Sequence, residues 1–355
     1  MGQDFNFRKL PVLRGKIGHP GARRWFLRRG FSLQGAPQTA DNSAQGSVAK
    51  PAGPPSILSL LAVAPTAFLK STAIKFLPPP VRRWVRGFLW THLKMRQGPA
   101  KPLDLSRLAL LRNATLEQLR DVAFLENELL PALGLNDEGF QQIPPELHRY
   151  CGAGLRCWQY PRQLSGYLVL LSELGIGSYL EVGVRHGGTF VLTTEYLRRF
   201  HPLPAALAVD LGDCPALRGY ASTQGGIRFV QADSQSPEFR SLLAASEPFD
   251  LALIDGDHSL EGCWKDFLLV KDRASILAFH DIASDVVPGV GEVWRKLRAD
   301  YAAAYEFFEF TAQYASLRRT TGKNFLGLGV AVPPGRAAGL PAWLRPRHNQ
   351  RQTLG

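Results

Sequence analysis

Between Ser178 and Val332, short apolar runs that stop on Gly, Asp or His alternate with longer helical stretches, and this alternation limits the fold more than any other feature of the chain. The apolar runs are Ser178 to Val184, Ala205 to Asp210, Ile227 to Gln231, Phe249 to Ile254, Ser275 to Phe279, Tyr305 to Phe310 and Phe325 to Val332. Stretches such as Thr189 to Phe200 and Leu260 to Lys271 separate the earlier ones. Strands alternating with helices of this length predict an α/β domain with a mostly parallel sheet and helices on both faces. No internal repeat is visible.

A helical extension precedes the sheet. Thr115-Leu-Glu-Gln118 has the form of a capping box, and Leu116, Leu119, Ala123, Leu130 and Leu133 recur near helical spacing until Gly134. A loop through Ile143-Pro-Pro145 leads to a second helix, Pro161 to Leu174, with Leu164, Leu168, Leu171 and Leu174 on one face and Gly175 as its stop. The expected division is a basic region over residues 1–102, a helical preface over 103–157, the sheet domain over 158–332 and a flexible tail over 333–355.

Net charge is +12, yet it is unevenly placed: residues 1–100 hold 16 Lys and Arg against Asp4 and Asp41, which leaves the remainder near −2. The pI therefore says nothing about a ligand of the folded body. Residues 1–56 mix Arg, Gly, Pro, Ser and Gln without periodicity and read as disordered. Ile57 to Leu69, broken by Pro65, is far shorter than the roughly 20 residues that span a bilayer. Val81 to Lys94 interleaves basic and aromatic residues as an interfacial helix does, although a plain surface helix or linker fits it better. Peripheral membrane contact through residues 57–94 is the only membrane role left open. The Arg-rich start also suits an organellar transit peptide, and Met95 is an alternative start. Cys151, Cys157, Cys214 and Cys263 match no zinc spacing and read as reduced thiols, which points to the cytoplasm. Nothing in the pattern reports the oligomeric state.

In an open parallel sheet, ligands bind beyond the carboxyl ends of the strands. The first strand ends in Glu181-Val-Gly-Val-Arg-His-Gly-Gly188 and enters a helix. Gly183 permits a tight turn, Gly187 and Gly188 let a ligand approach the backbone, and the helix start offers N–H donors. Asp210 ends the second strand, 22 residues after Gly188, where a carboxylate accepts ribose hydroxyls. Asp233 and Ser234 follow the third, within reach of an adenine amino group.

The turn, Asp210, Asp233 and the later Ile254-Asp-Gly-Asp-His-Ser259 together resemble the class I S-adenosylmethionine-dependent methyltransferases. Within that superfamily the chain is similar to the small-molecule O-methyltransferase-like group, whose fourth strand ends in D-x-D-H-S and whose fifth ends in an H-D or E-D pair. The resemblance spans about Trp158 to Val332 and implies a Rossmann-like, seven-stranded sheet whose last strand is antiparallel. It further implies that Glu181 and the glycines surround the methionine moiety, with Asp210 on the ribose and Asp233 near the adenine. Asp255, Asp257, His258, His280 and Asp281 then gather at two adjacent strand ends. Carried over from metal-dependent relatives, the ligands of a Mg²⁺ or Mn²⁺ ion are Asp255, His280 and Asp281, with His280 standing where the family has an acid. His258 is the expected general base. His186 is expected to contact the cofactor or face solvent, and Asp285 with Pro288 to Gly291 to form a substrate-side loop.

The implied reaction is transfer of a methyl group to a hydroxyl of a small-molecule or glycan acceptor. A nicotinamide dehydrogenase fits less well, because the spacing is G-x-x-x-G-G and no catalytic domain follows the sheet. A membrane-associated binding module without catalysis is the non-enzymatic alternative. Nucleic acid is disfavoured, since the region carrying the motifs is not basic and holds no base-flipping motif.

Overall fold

The computed structural model describes residues 99–342 and 344. The expectations for disorder over 1–56, for Ile57 to Leu69, for Val81 to Lys94 and for a start at Met95 lie outside the described residues. Strands β1 (Ser178–Val182), β2 (Ala205–Asp210), β3 (Ile227–Gln231), β4 (Phe249–Ile254), β5 (Ala274–Phe279), β6 (Glu306–Phe310) and β7 (Leu328–Val332) form one seven-stranded sheet in the order β3-β2-β1-β4-β5-β7-β6. The first five pair in parallel, and β7 lies antiparallel between β5 and β6, as the resemblance implied. The chain begins at the sheet's centre, steps outward to β3, then returns to β4 on the other side of β1. That reversal opens a crevice at the carboxyl ends of β1 and β4.

β1 and β7 fall short of their apolar runs by two and three residues, for a backbone reason. Gly183 turns left-handed at φ 86°, ending β1 at Val182. Leu326 and Gly327 sit at φ 58° and 105°, so β7 begins only at Leu328.

The helices packed on the sheet are α1 (Pro161–Ser172), α2 (Gly188–Leu197), α3 (Pro215–Thr223), α4 (Pro237–Ala245), α5 (Leu260–Val270), α6 (Pro288–Asp300), α7 (Ala315–Thr321) and α8 (Pro334–Ala337). Side chains alternate between the two faces, as strand geometry requires. Tyr179, Ala206, Leu251 and Ile276 face a core shared with α1, α2 and the preface, while Leu180, Leu207, Ala252 and Leu277 face one shared with α4, α5 and α6. Pro288 to Gly291, expected as a loop, is the first turn of α6, where a proline at the start needs no N–H partner. The expected flexible tail begins with α8, and Ala337 and Leu340 are buried in the first core. Among the described residues no helix is long and apolar enough to cross a membrane.

The preface differs most from its sequence pattern. The helix expected from Thr115 to Gly134 is divided into Leu116–Arg120, Val122–Phe124, a wider π turn over Leu125–Leu129, and Leu130–Leu133. Thr115 and Gln118 do form the capping box. Asp121 then leaves helical geometry and caps the next turn, accepting from the Ala123 N–H at 2.8 Å. A second N-cap residue within the repeat breaks a helix that its leucine spacing alone would continue.

Candidate active site

The glycine turn is held from below by Asp210. Its Oδ2 accepts the N–H groups of Val184 and Arg185 at 2.8 and 2.9 Å, and its Oδ1 accepts that of Gly212 at 2.8 Å. A carboxylate has about four acceptor positions, so three internal donors leave room for one more. The glycines are required by close approach of the chain to itself. A Cβ on Gly183 would come within 2.2 Å of the Asp255 carbonyl, and one on Gly188 within 1.7 Å of the Leu155 carbonyl. Gly187 sits at φ 86° with Leu217 beside it. What Gly188 admits is therefore the preface backbone, and it need not admit a ligand to be a glycine.

The preface clamps the same turn. Glu138 holds Arg185 through two hydrogen bonds of 2.8 and 2.7 Å, and Arg185 stands at a left-handed φ of 48°. His186, expected at the cofactor or in solvent, is buried instead, and its Nδ1 accepts the Lys101 N–H at 3.0 Å. Burial, then the neighbouring Arg185, pulls its pKa down to about 4, so the ring is neutral. None of these partners is near in sequence, and no spacing announces them.

Asp233 and Ser234 occupy the end of β3, yet both are engaged. The Asp233 Oδ1 accepts the Gln235 N–H at 2.8 Å, and the Ser234 hydroxyl donates to Asp266 Oδ1 at 2.7 Å. Asp266 is buried, and burial raises its carboxyl against the bonds from Ser234 and Gln235. It ties the β3 and β4 ends together. Asp257 also leaves the expected cluster, turning back to accept the Ser259 N–H at 2.9 Å beside the start of α5.

Asp255, His258, His280 and Asp281 come together at the ends of β4 and β5. Asp255 Oδ1 lies 3.0 Å from His258 Nε2 and 3.1 Å from His280 Nδ1. Asp281 Oδ2 stands 3.5 Å from His258 Nδ1 and 3.6 Å from His280 Nδ1. The three side chains whose ligand atoms lie within 4.8 Å of one another are Asp255, His258 and His280. His258 thus joins the converging set where Asp281 was expected. His280 donates from Nε2 to the Trp158 carbonyl at 3.0 Å, which turns Nδ1 toward the carboxylates. Despite its 3.1 Å approach to Asp255, His280 Nδ1 has no aligned hydrogen bond, and Asp281 Oδ1 is buried without a partner among the described residues. Asp281 holds a left-handed φ of 62°, a strained conformation of the kind kept at functional sites.

Charge follows from this geometry. Burial works to raise the Asp255 carboxyl, but the two imidazoles outweigh it and hold it far below the usual range. Burial works to lower both imidazoles, and Asp255 and Asp281 overcome it, raising His258 and lifting His280 well above the ordinary value. Glu181 behaves oppositely: fully enclosed in β1 and bonded by the Tyr179 hydroxyl, it is pushed by burial up to about 8.

Residues 180–282 match a family model described as "Methyltransferase domain". Rhamnosyl O-methyltransferases of Mycobacterium tuberculosis and Mycobacterium bovis are 28% identical over 126 residues, 34% of this chain and 51% of theirs, so the chain spans about half the length of the curated relatives it matches. Among solved structures, an O-methyltransferase from Bacillus cereus in complex with S-adenosylhomocysteine is 12% identical with a TM-score of 0.36, covering 64% of this chain and 96% of that one. The O-methyltransferase TomG from Streptomyces achromogenes, in complex with S-adenosylmethionine, is 14% identical with a TM-score of 0.35, covering 50% of this chain and 81% of its own. The family match runs from β1 through the end of β5 and contains the glycine turn, Asp210 and the acid and imidazole cluster. From β1 to the end of β5 the chain is therefore similar to methyltransferase domains, and this stretch lies in the seven-stranded sheet of order β3-β2-β1-β4-β5-β7-β6.

Proposed function

We propose that this chain transfers the methyl group of S-adenosylmethionine to a hydroxyl oxygen of a glycan or small-molecule acceptor. The observation that carries the reading is the pairing of Asp255 with His258 at 3.0 Å beside the crevice of β1 and β4. The cofactor lies along the turn, with the one remaining acceptor position of Asp210 serving its ribose. Glu181 lies beneath the methionine end, and Asp233, at the end of β3, faces the adenine side.

Methyl transfer is a direct displacement, so the protein's work is to align two reactants and remove a proton. The acceptor oxygen forms a bond to the methyl carbon as the carbon–sulfur bond breaks, and its electron pair passes to sulfur. His258 donates from Nε2 to Asp255, a tautomer that leaves Nδ1 basic and able to take the hydroxyl proton. Asp281, 3.5 Å from that nitrogen, steadies the imidazolium that results. The relatives' printed names support a sugar hydroxyl, and a rhamnosyl group is the first acceptor to try.

The unaligned His280 Nδ1 and the partnerless Asp281 Oδ1 favour a second reading, in which a divalent cation completes the cluster. Asp255, His258 and His280 would hold it, with Asp281 against both imidazoles. Two imidazoles depart from the oxygen shell that Mg²⁺ prefers and favour Mn²⁺ of the two ions expected. Such an ion lowers the pKa of a bound hydroxyl. Transfer of labelled methyl from S-adenosylmethionine to a rhamnoside, with and without EDTA, tests both readings. Transfer that survives EDTA and disappears in His258→Ala supports the base; loss with EDTA and recovery with Mn²⁺ supports the ion. Transfer untouched by either treatment overturns the assignment of this cluster.

A further inference from the structure

The inner face of α5 carries Cys263, Phe267 and Val270 into the second core, and among them stands Asp266, 2% exposed. A carboxylate in such surroundings is costly unless hydrogen bonds complete it. Its partners come from two strand ends at once. Beyond β3, Oδ1 accepts the Ser234 hydroxyl and the Gln235 side-chain amide, each at 2.7 Å. Beyond β4, Oδ2 accepts the Asp257 N–H in a long bond of 3.4 Å. Gly256 leaves room for that oxygen, because a Cβ there would come within 2.7 Å of it.

The two oxygens therefore hold different parts of the site. The β3 end is the side assigned to the adenine through Asp233. The β4 turn carries Asp255 and His258, and Asp257 is the residue whose backbone leads into His258. Arg240 fixes which end of the Gln235 amide faces Asp266: it donates to Gln235 Oε1 at 2.8 Å, so only the amide nitrogen is left for the carboxylate. One buried side chain thus sets the separation between the loop beside the cofactor and the turn beside the acceptor. Displacement chemistry depends steeply on such a separation, a misplacement of about 1 Å being enough to cost about a hundredfold in rate.

We propose that Asp266 is a positioning residue for methyl transfer, holding the turn of Asp255 and His258 at a fixed distance from the β3 end that meets the cofactor. The inference rests on the reaction and the cofactor placement given above, and deepens them with a residue that acts only through others.

The test uses the full chain and separates the two oxygens. In Asp266→Asn the amide oxygen stays with Ser234 and Gln235, since Gln235 offers only its nitrogen, and the new amide nitrogen meets the Asp257 N–H, donor against donor. Calorimetric affinity for S-adenosylhomocysteine then stays within about twofold of the wild type, while turnover of labelled methyl to a rhamnoside at saturating cofactor falls about tenfold to a hundredfold. Gln235→Leu releases the other side and reverses the split: affinity for S-adenosylhomocysteine falls about tenfold, and turnover at saturating cofactor is kept. Retained binding also shows that Asp266→Asn is folded. Unchanged turnover in Asp266→Asn overturns the proposal. Parallel losses of binding and turnover in both variants overturn it in favour of a structural tie alone. A wild-type chain that methylates no rhamnoside overturns the proposed reaction instead, and the ring resonance of His258, identified by its absence in His258→Ala, then decides. A resonance that moves in Asp266→Asn and stays in Gln235→Leu supports the positioning role; one that moves in neither overturns it.

Discussion

The charges of His258, His280 and Asp255 determine how the site responds to pH. Both imidazoles are raised by facing carboxylates, and each must lose a proton before it can ligate a cation. Mn²⁺ affinity, followed by the resonance of the free ion, is therefore expected to tighten as pH rises from 6 to 8 and to fall about tenfold or more in His280→Ala. An affinity flat across that range contradicts the cluster as a metal site. Without metal, the sign of the stability change is fixed too. The contribution of the two imidazoles is complete below their ordinary value of 6.5 and is lost as pH rises through their raised folded values. Asp255 works the other way: its contribution is present above the ordinary 3.8 and is lost as pH falls through its depressed folded value. Urea unfolding of metal-free protein across pH checks both limbs. At this scale the sequence announced which residues end the strands, and Asp210, Asp255, His280 and Asp281 stand where that reading put them. It did not announce which way a side chain turns. Asp257 caps a loop, Ser234 bonds Asp266, and His186 is enclosed, because their partners lie far along the chain or in the backbone of the next turn.

Elements were legible where apolar runs and single caps agreed, as in β2, β3 and β4, whose bounds match their runs. They were illegible where a local cap opposed the repeat, as at Asp121, or where left-handed residues cut a run short, as at Leu326 and Gly327. The glycines separate two physical roles that sequence cannot distinguish. Gly188→Ala would press a Cβ within 1.7 Å of the Leu155 carbonyl and force the preface from the start of α2, for a loss of about 1–3 kcal/mol or more in chemical denaturation. Gly219 lies inside α3 with nothing within 4 Å of the place a Cβ would take, and should gain roughly 0.5–1 kcal/mol as alanine. Equal effects at the two positions would contradict the contact that joins the preface to the turn.

At the scale of the molecule, the preface helps build the site as well as covering the sheet: Glu138 clamps Arg185, Leu155 rests on Gly188, and Trp158 orients the His280 ring. The strand and helix alternation foretold the sheet and its crevice. It was silent on the preface, whose contacts with the sheet domain are long in sequence. The basic excess belongs to a different part of the chain, since residues 1–100 hold 16 Lys and Arg against two acids. We expect the full chain to sediment with anionic lipid vesicles at low salt and to be released as salt rises. A variant lacking residues 1–98 should not sediment, and equal sedimentation would place the contact on the folded body.

The cofactor assignment is the centre of the account, and ligand identity tests it most directly. Calorimetric titration of the full chain with S-adenosylhomocysteine and, separately, with NAD should show one S-adenosylhomocysteine bound per chain, weakened at least tenfold by Asp210→Ala, and no heat from NAD. Binding of NAD with no response to S-adenosylhomocysteine would contradict it.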